Sequence, residues 1–199
     1  MVDDAQPKPP PPVRFGRTEV SAIEGDLLTQ EVDAIVLPAN ARGVLGAVAI
    51  TGVTGLRTLA GSEIERDAMA KAPLELGTAV VTGPGRLRDR GVRHVIHAVM
   101  RRDLASAAKP NDIRRALAAS LIAADRERDS SVAIAAVTSG HAPSAAEPDA
   151  LLRLTAEEIV SVLRRSNLRL LTVIIVCRFA DQAATMAELL QELRNRAWE

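Results

Sequence analysis

Gly25-Asp26-Leu27 and, shortly after it, Val32-Asp33-Ala34-Ile35-Val36-Leu37-Pro38-Ala39-Asn40 form the stretch on which the fold turns. Gly-Asp is turn chemistry, because glycine tolerates unusual backbone angles and an aspartate side chain bonds to nearby amides. The run 34–37 is apolar at every position. Strands covered on both faces read that way, and such strands belong to parallel sheets. Asn40 then stands just past the strand's carboxyl end, where ligands of open α/β sheets gather.

The same pattern repeats outward from this stretch. Short runs rich in β-branched residues occur at 18–23, 79–82, 95–99, 132–137 and 170–176. Segments of helical spacing lie between them. Ile113, Ala116, Leu117, Leu121 and Ala124 form one stripe over 112–125, with Pro110 and Asn111 as start signals. Leu152, Ala156, Ile159 and Leu163 form a second stripe. Met186, Leu189, Leu190 and Leu193 form a third, with Asp181 the expected N-cap. A further helix is expected over 56–70, stopped by Pro73. Strand–helix alternation predicts an α/β fold: a three-layer α/β/α sandwich around a mixed, largely parallel sheet of about six strands. Five prolines within residues 1–12 mark an expected disordered tail of polyproline character, leaving 13–199 as a single domain.

The opening stretch resembles the signature of the macrodomain family, in which a Gly-Asp-Ile turn precedes a Val-Asp-Ala-Ile-Val strand that ends in Asn-Ala-Ala-Asn. Further fragments follow in the family's order. Gly52-Val53-Thr54-Gly55 through Leu59-Ala60-Gly61 is similar to its glycine loop and following helix. Leu76-Gly77-Thr78-Ala79-Val80-Val81-Thr82 and Val95-Ile96-His97-Ala98-Val99 are similar to its two central strands.

The resemblance implies a cleft for ADP-ribose or a related nucleotide, free or carried on an ADP-ribosylated protein. By that likeness Asp26 accepts a hydrogen bond from the adenine amino group, as an acceptor-only carboxylate can, with Leu27 beside it. Asn40 faces the distal ribose and is the one candidate catalytic residue. Gly52, Val53, Thr54 and Gly55 present backbone amides to the diphosphate. Ser139, Gly140, His141 and Ala142 form the second phosphate loop, and Phe179 packs on a ribose or the adenine. The chain also departs from the family. There is no run of three glycines in 41–55, and Pro143 has no N–H to offer a phosphate. Read without the family, Asp26 is a turn former, His141 an exposed loop histidine, Phe179 a core residue, and Gly43 and Gly46 turn punctuation. Arg101, Arg102 and Lys109 flank the loop after Val99, by default a solvated one.

Composition narrows the alternatives. Twenty-five basic and twenty-five acidic side chains cancel, and two Phe with one Trp are the entire aromatic supply. Both facts argue against nucleic acid as a partner. The one cysteine, Cys177, forms no internal disulfide, and its place at the end of a buried strand reads as packing. The apolar runs are too short to cross a membrane. With no signal peptide in the sequence, a cytoplasmic protein is expected. His94 and His97, three apart on a strand, point to opposite faces. No Cys, His, Asp or Glu cluster has zinc-ligand spacing, so neither a metal nor a cofactor is expected. Hydrolytic macrodomains use an acid near the glycine loop, a Lys–Asp pair, or a phosphate-held water near the Asn. Here Thr54 occupies the acid's approximate place, and Lys8, Lys71 and Lys109 follow no motif strand. A binding module therefore ranks ahead of a hydrolase of mono-ADP-ribose or of phosphorylated or acetylated ADP-ribose, and both rank ahead of a degenerate scaffold.

Overall fold

The computed structural model describes residues 10–45, 56–137 and 148–196. Strands β1 (Val13–Phe15), β2 (Thr18–Glu24), β3 (Ala34–Asn40), β4 (Ala79–Thr82), β5 (His94–Arg101), β6 (Ser131–Ala135) and β7 (Thr172–Cys177) form one sheet in the order β1-β2-β7-β6-β3-β5-β4. The five central strands are mutually parallel, and the edge strands β1 and β4 run antiparallel to their neighbours. This is the expected mixed, largely parallel sheet with one strand more. The unforeseen strand is β1, a three-residue piece joined to β2 by a tight turn at Gly16, with Val13 and Phe15 buried. Three residues are too few to show a period of two, so only the buried partner strand makes the element real.

Helices α3 (Pro110–Arg126), α4 (Pro148–Arg165) and α5 (Ala180–Asn195) cover one face of the sheet. The shorter helices α1 (Leu56–Ala60) and α2 (Glu63–Ala70), together with 3-10 turns at Leu27–Thr29 and Gly85–Arg90, cover the other. The helix expected over 56–70 is in fact two. Gly61 takes φ +89 between them, a value that interrupts helical geometry.

The pleat explains the apolar signature. Ala34 and Val36 of β3 enter the core under α3–α5, while Ile35 and Leu37 enter the core under α1 and α2. Each side of the strand is dry from 34 to 37, so both parities there are apolar. Burying one such Ile or Leu stabilises the fold by about 1.5–3 kcal/mol.

Polar contacts pin the amino ends of the strands. The Asp33 carboxylate accepts hydrogen bonds from Ser130 N–H (2.7 Å) and Oγ (2.6 Å), and from Ser131 N–H (3.0 Å) and Oγ (3.2 Å). Burial pushes the Asp33 carboxyl upward, but these bonds outweigh it and hold the group below its ordinary value. Asp33 backbone N–H donates to Ser131 Oγ, and its carbonyl accepts from the amides of Arg93 and His94. One residue thus joins β3 to β6 and β5. Beside it, His94 Nδ1 lies 2.9 Å from the buried Asp129 carboxylate, and Arg93 lies 3.4 Å from the same group.

His97 points to the opposite face, as its spacing from His94 requires. It is wholly buried, with Nε2 3.0 Å from Thr82 Oγ1 and Nδ1 without a partner. Burial, and secondarily the charge of Lys71, lowers its pKa from 6.5 to about 4. The unfolded chain therefore takes up this proton first as pH falls. The stability it confers is complete above pH 6.5 and is lost as pH drops through about 4. The full loss is on the order of 3 kcal/mol. Urea titrations at stepped pH should show this slope in the wild type and lack it in His97→Gln; identical profiles would exclude His97 as its source.

Candidate functional site

The carboxyl ends of β2, β7, β6, β3 and β5 form one edge of the sheet. At the end of β2, Gly25 N–H donates to the Cys177 carbonyl (3.0 Å), so the Gly25–Asp26 turn abuts the end of β7. Asp26 N-caps the 3-10 turn, its Oδ1 accepting from Leu28 N–H at 2.8 Å. The Asp26 carbonyl accepts from Thr29 and from the Gln30 side chain. Leu27 has its side chain fully buried in the core, so any ligand contact it makes falls to its backbone.

Past β7, Cys177 is buried and Phe179 emerges, 52% exposed, with the Arg178 guanidinium 5.4 Å from its ring centre. A phenylalanine left half in water at the mouth of a sheet is not a core residue. Phe179 also supplies the extended N-cap of α5. The expected cap, Asp181, sits inside the first turn instead, where its carboxylate accepts from Gln182 N–H. Burial, with a contribution from Asp181, pushes the Cys177 thiol up to about 12. At neutral pH it supplies no thiolate.

Asn40 ends β3, 2% exposed. Its amide donates to the Val44 carbonyl (2.6 Å) and accepts from Arg42 N–H (3.0 Å), while its own carbonyl accepts from Gly43 N–H. The carboxamide thereby folds residues 40–44 into a turn. Gly43 completes that turn with φ +68, and a Cβ there would stand 2.7 Å from the Ala68 backbone. It is a close-packing glycine, more than simple punctuation. Sequence reasoning missed Glu65 of α2, whose carboxylate accepts from Leu45 N–H (2.9 Å) and ties the same segment to the helix. A buried acid amid helical spacing gives no local sign of such a partner.

The sheet order sets which candidates meet. Asp26 and Phe179 follow neighbouring strands. Asn40 follows β3, three strand intervals from β2, roughly 14 Å at the usual spacing. β6 lies between, and Ala136 N–H still donates to Val176 (2.9 Å) before Val137, fully buried, leads into the second loop. The candidates Gly52, Val53, Thr54 and Gly55, and likewise Ser139, Gly140, His141 and Ala142, lie outside the described residues. Among the described residues no group of His, Cys, Asp or Glu could hold a metal, and no helix is long and apolar enough to cross a membrane.

The Macro domain family profile matches residues 36–147, more than half of the chain, with the β3 end and both loop segments inside the match. The chain belongs to the macrodomain family. An uncharacterized protein of Aquifex aeolicus is 37% identical over 123 residues, covering 61% of this chain and 70% of that one. An uncharacterized protein of Aeropyrum pernix is 43% identical over 75 residues, covering 37% of this chain and 36% of that one, and one of Mycobacterium tuberculosis is 34% identical over 144 residues, covering 68% of this chain and 37% of that one. Among solved structures, a variant of the Oceanobacillus iheyensis macrodomain with ADPR superposes with TM-score 0.74 at 17% identity, over 93% of this chain and 98% of that one. The Trypanosoma brucei macrodomain in complex with ADP-ribose superposes with TM-score 0.67 at 21% identity, over 85% and 68%. At such identities these superpositions establish a shared fold.

Within this macrodomain, Asn40 is a load on stability as well as a candidate site residue. Asn40→Ala leaves the Val44 carbonyl and the Arg42 amide without partners, at a cost of about 1–3 kcal/mol. Chemical denaturation should register that loss, and Asn40→Asp, which keeps the acceptor alone, should fall between. An unchanged midpoint in Asn40→Ala would remove the amide from the account of this turn.

Proposed function

We propose that this macrodomain is a binding module for ADP-ribose or a close derivative, free or attached to a protein, acting in the cytoplasm. One observation carries the reading: Asp26 and Phe179, the latter with an exposed ring, each follow one of two paired strands whose ends are joined by the Gly25–Cys177 hydrogen bond at the carboxyl edge. A carboxylate accepts from the exocyclic amine of adenine but repels an oxo group at the same place. An exposed aromatic ring past the neighbouring strand offers a face for the base. Oδ1 of Asp26 is engaged by Leu28, and the second oxygen has lone pairs to give.

The span favours ADP-ribose over a shorter nucleotide. A ligand that touches both Asp26 and Asn40 crosses three strand intervals, which requires a diphosphate and a second sugar. Solved macrodomains with ADP-ribose bound support the same ligand class. Hydrolysis is the second reading and rests on Asn40, a residue already committed to holding Arg42 and Val44. An amide so occupied supports retention of the ligand ahead of turnover.

Calorimetry with ADP-ribose, ADP and AMP tests the proposal. Selective binding of ADP-ribose is expected, and absence of binding would overturn it. Phe179→Ala should weaken that affinity by about 1–3 kcal/mol, the usual value of a base–aromatic contact. Because the ring is half exposed, thermal stability should change little. Asp26→Ala should weaken binding by about 1–3 kcal/mol as well. Asp26→Asn, which keeps an acceptor for the cap, separates loss of adenine recognition from loss of the turn. Wild-type affinity in both Asp26 variants would remove it from the site.

A further inference from the structure

Beyond Asn40 the sheet edge turns basic, in a way that binding of the nucleotide does not use. Asn40 pairs in register with Arg101, and Ala41 N–H donates to the Arg101 carbonyl at 2.9 Å. Arg42 belongs to the turn that the Asn40 amide folds. Arg42 and Arg102 are exposed, and Arg101 is partly buried. The three arginines thus follow or end two neighbouring strands, β3 and β5, at the strand end that faces the distal sugar in the reading above.

Their charge is only partly offset locally. Among the described residues none of the three makes an ion pair, and Arg101 donates only a long bond of 3.4 Å to the Leu104 carbonyl. Two carboxylates are near: that of Glu65, which holds Leu45 N–H, and that of Asp103, which feels the charge of Arg42 and acts on that of Arg101. Oδ1 of Asp103 accepts from the Ser106 hydroxyl (2.7 Å) and from the amides of Ser106 and Ala105, which keeps the group ionised, so it offsets one of the three positive charges. Residues 46–55, which follow the Asn40 turn, contain no acidic residue. Burial draws the Arg101 guanidinium below its ordinary value, and the charge of Asp103 offsets part of that shift.

Resting on the ADP-ribose reading, we infer that Arg42, Arg101 and Arg102 form a receiving surface for the acidic polypeptide segment to which the ADP-ribose is attached. Their placement outside the strand ends meets what the distal ribose is joined to, and leaves the nucleotide itself to the Asp26 side. Charges spread over two strand ends match a chain of carboxylates better than one compact phosphate, which a single bidentate arginine would hold. Single-stranded nucleic acid is a poorer fit. Such strands ask for stacking rings along the groove, and of the aromatics described, Phe15 is buried and Phe179, past β7, lies two strand intervals from β3 and three from β5. The surface selects among carriers by charge complementarity, a long-range effect that salt screens.

The test compares free ADP-ribose with synthetic peptides bearing one ADP-ribose, flanked either by Asp and Glu or by Ser and Gln, using calorimetry at low and high salt. The acidic carrier should bind about fivefold more tightly than the neutral one at low salt, as expected for a few exposed pairs, and the ratio should shrink at high salt. In the double variant Arg42→Gln, Arg102→Gln the ratio should approach one. Equal affinity for the two carriers while free ADP-ribose still binds would overturn the carrier surface and leave the nucleotide site standing. No binding of free ADP-ribose would overturn both. Tighter binding of an oligonucleotide-linked ADP-ribose than of the acidic peptide would reassign the surface to nucleic acid.

Discussion

The set of hydrogen bonds from Ser130 and Ser131 to the Asp33 carboxylate fixes what everything else is measured from. It locks the start of β3 to the start of β6, while the Asp33 carbonyl holds the start of β5. In a sheet buried on both faces a one-residue slip exchanges every side chain between the two layers. Ile35 and Leu37 would then meet α3 and α4, and Ala34 and Val36 would leave a void under α2. Register set at the amino edge also decides where each strand stops. Asn40, Val137 and Arg101 reach the opposite edge at their observed heights only because Asp33 fixes where the count begins.

That arrangement explains why much of the fold was legible in the sequence. A strand dry on both faces has no freedom in its pattern, so 34–37 declares itself without help from neighbours. β1 did not, because three residues carry no period and its burial comes from β2 and α5. The break at Gly61 was invisible for a related reason: glycine inside helical spacing is tolerated as often as it interrupts. Capping at Phe179 in place of Asp181 shows the same limit. The cap is set by where the chain leaves β7, and side-chain preference for the position yields to that geometry.

The structure describes four of the candidate site residues, Asp26, Leu27, Asn40 and Phe179, all at the carboxyl edge of the sheet, and their roles were less legible than their positions. Asp26 reads equally as a turn former and as an adenine acceptor, and the structure shows one of its oxygens engaged in the turn. Asn40 lies where expected, but its work on Arg42 and Val44 depends on the path of the following turn, which residue identity does not encode. Phe179 is the opposite case. Its type suggested a core residue as readily as a site residue, and only its exposure separates the two. The Arg42–Arg101 grouping was hidden because the residues are far apart in sequence and meet through the β3–β5 pairing.

The two edges of this sheet divide the labour. At the amino edge charges are matched: Asp33 with two serines, Asp129 with His94 and Arg93, Asp125 with Arg169. A matched, largely shielded network stabilises and leaves little for a ligand to gain. At the carboxyl edge the groups are left partly unmet. Asp26 keeps an oxygen, Phe179 keeps a face, and the arginines beyond Asn40 keep their charge. Water satisfies these exposed groups in the free protein, so leaving them unpaired costs little stability and keeps them open to a partner. Asp33 does the complementary work at the opposite edge: by fixing where β3 begins against β5 and β6, it decides which residues the strand carries to the carboxyl end.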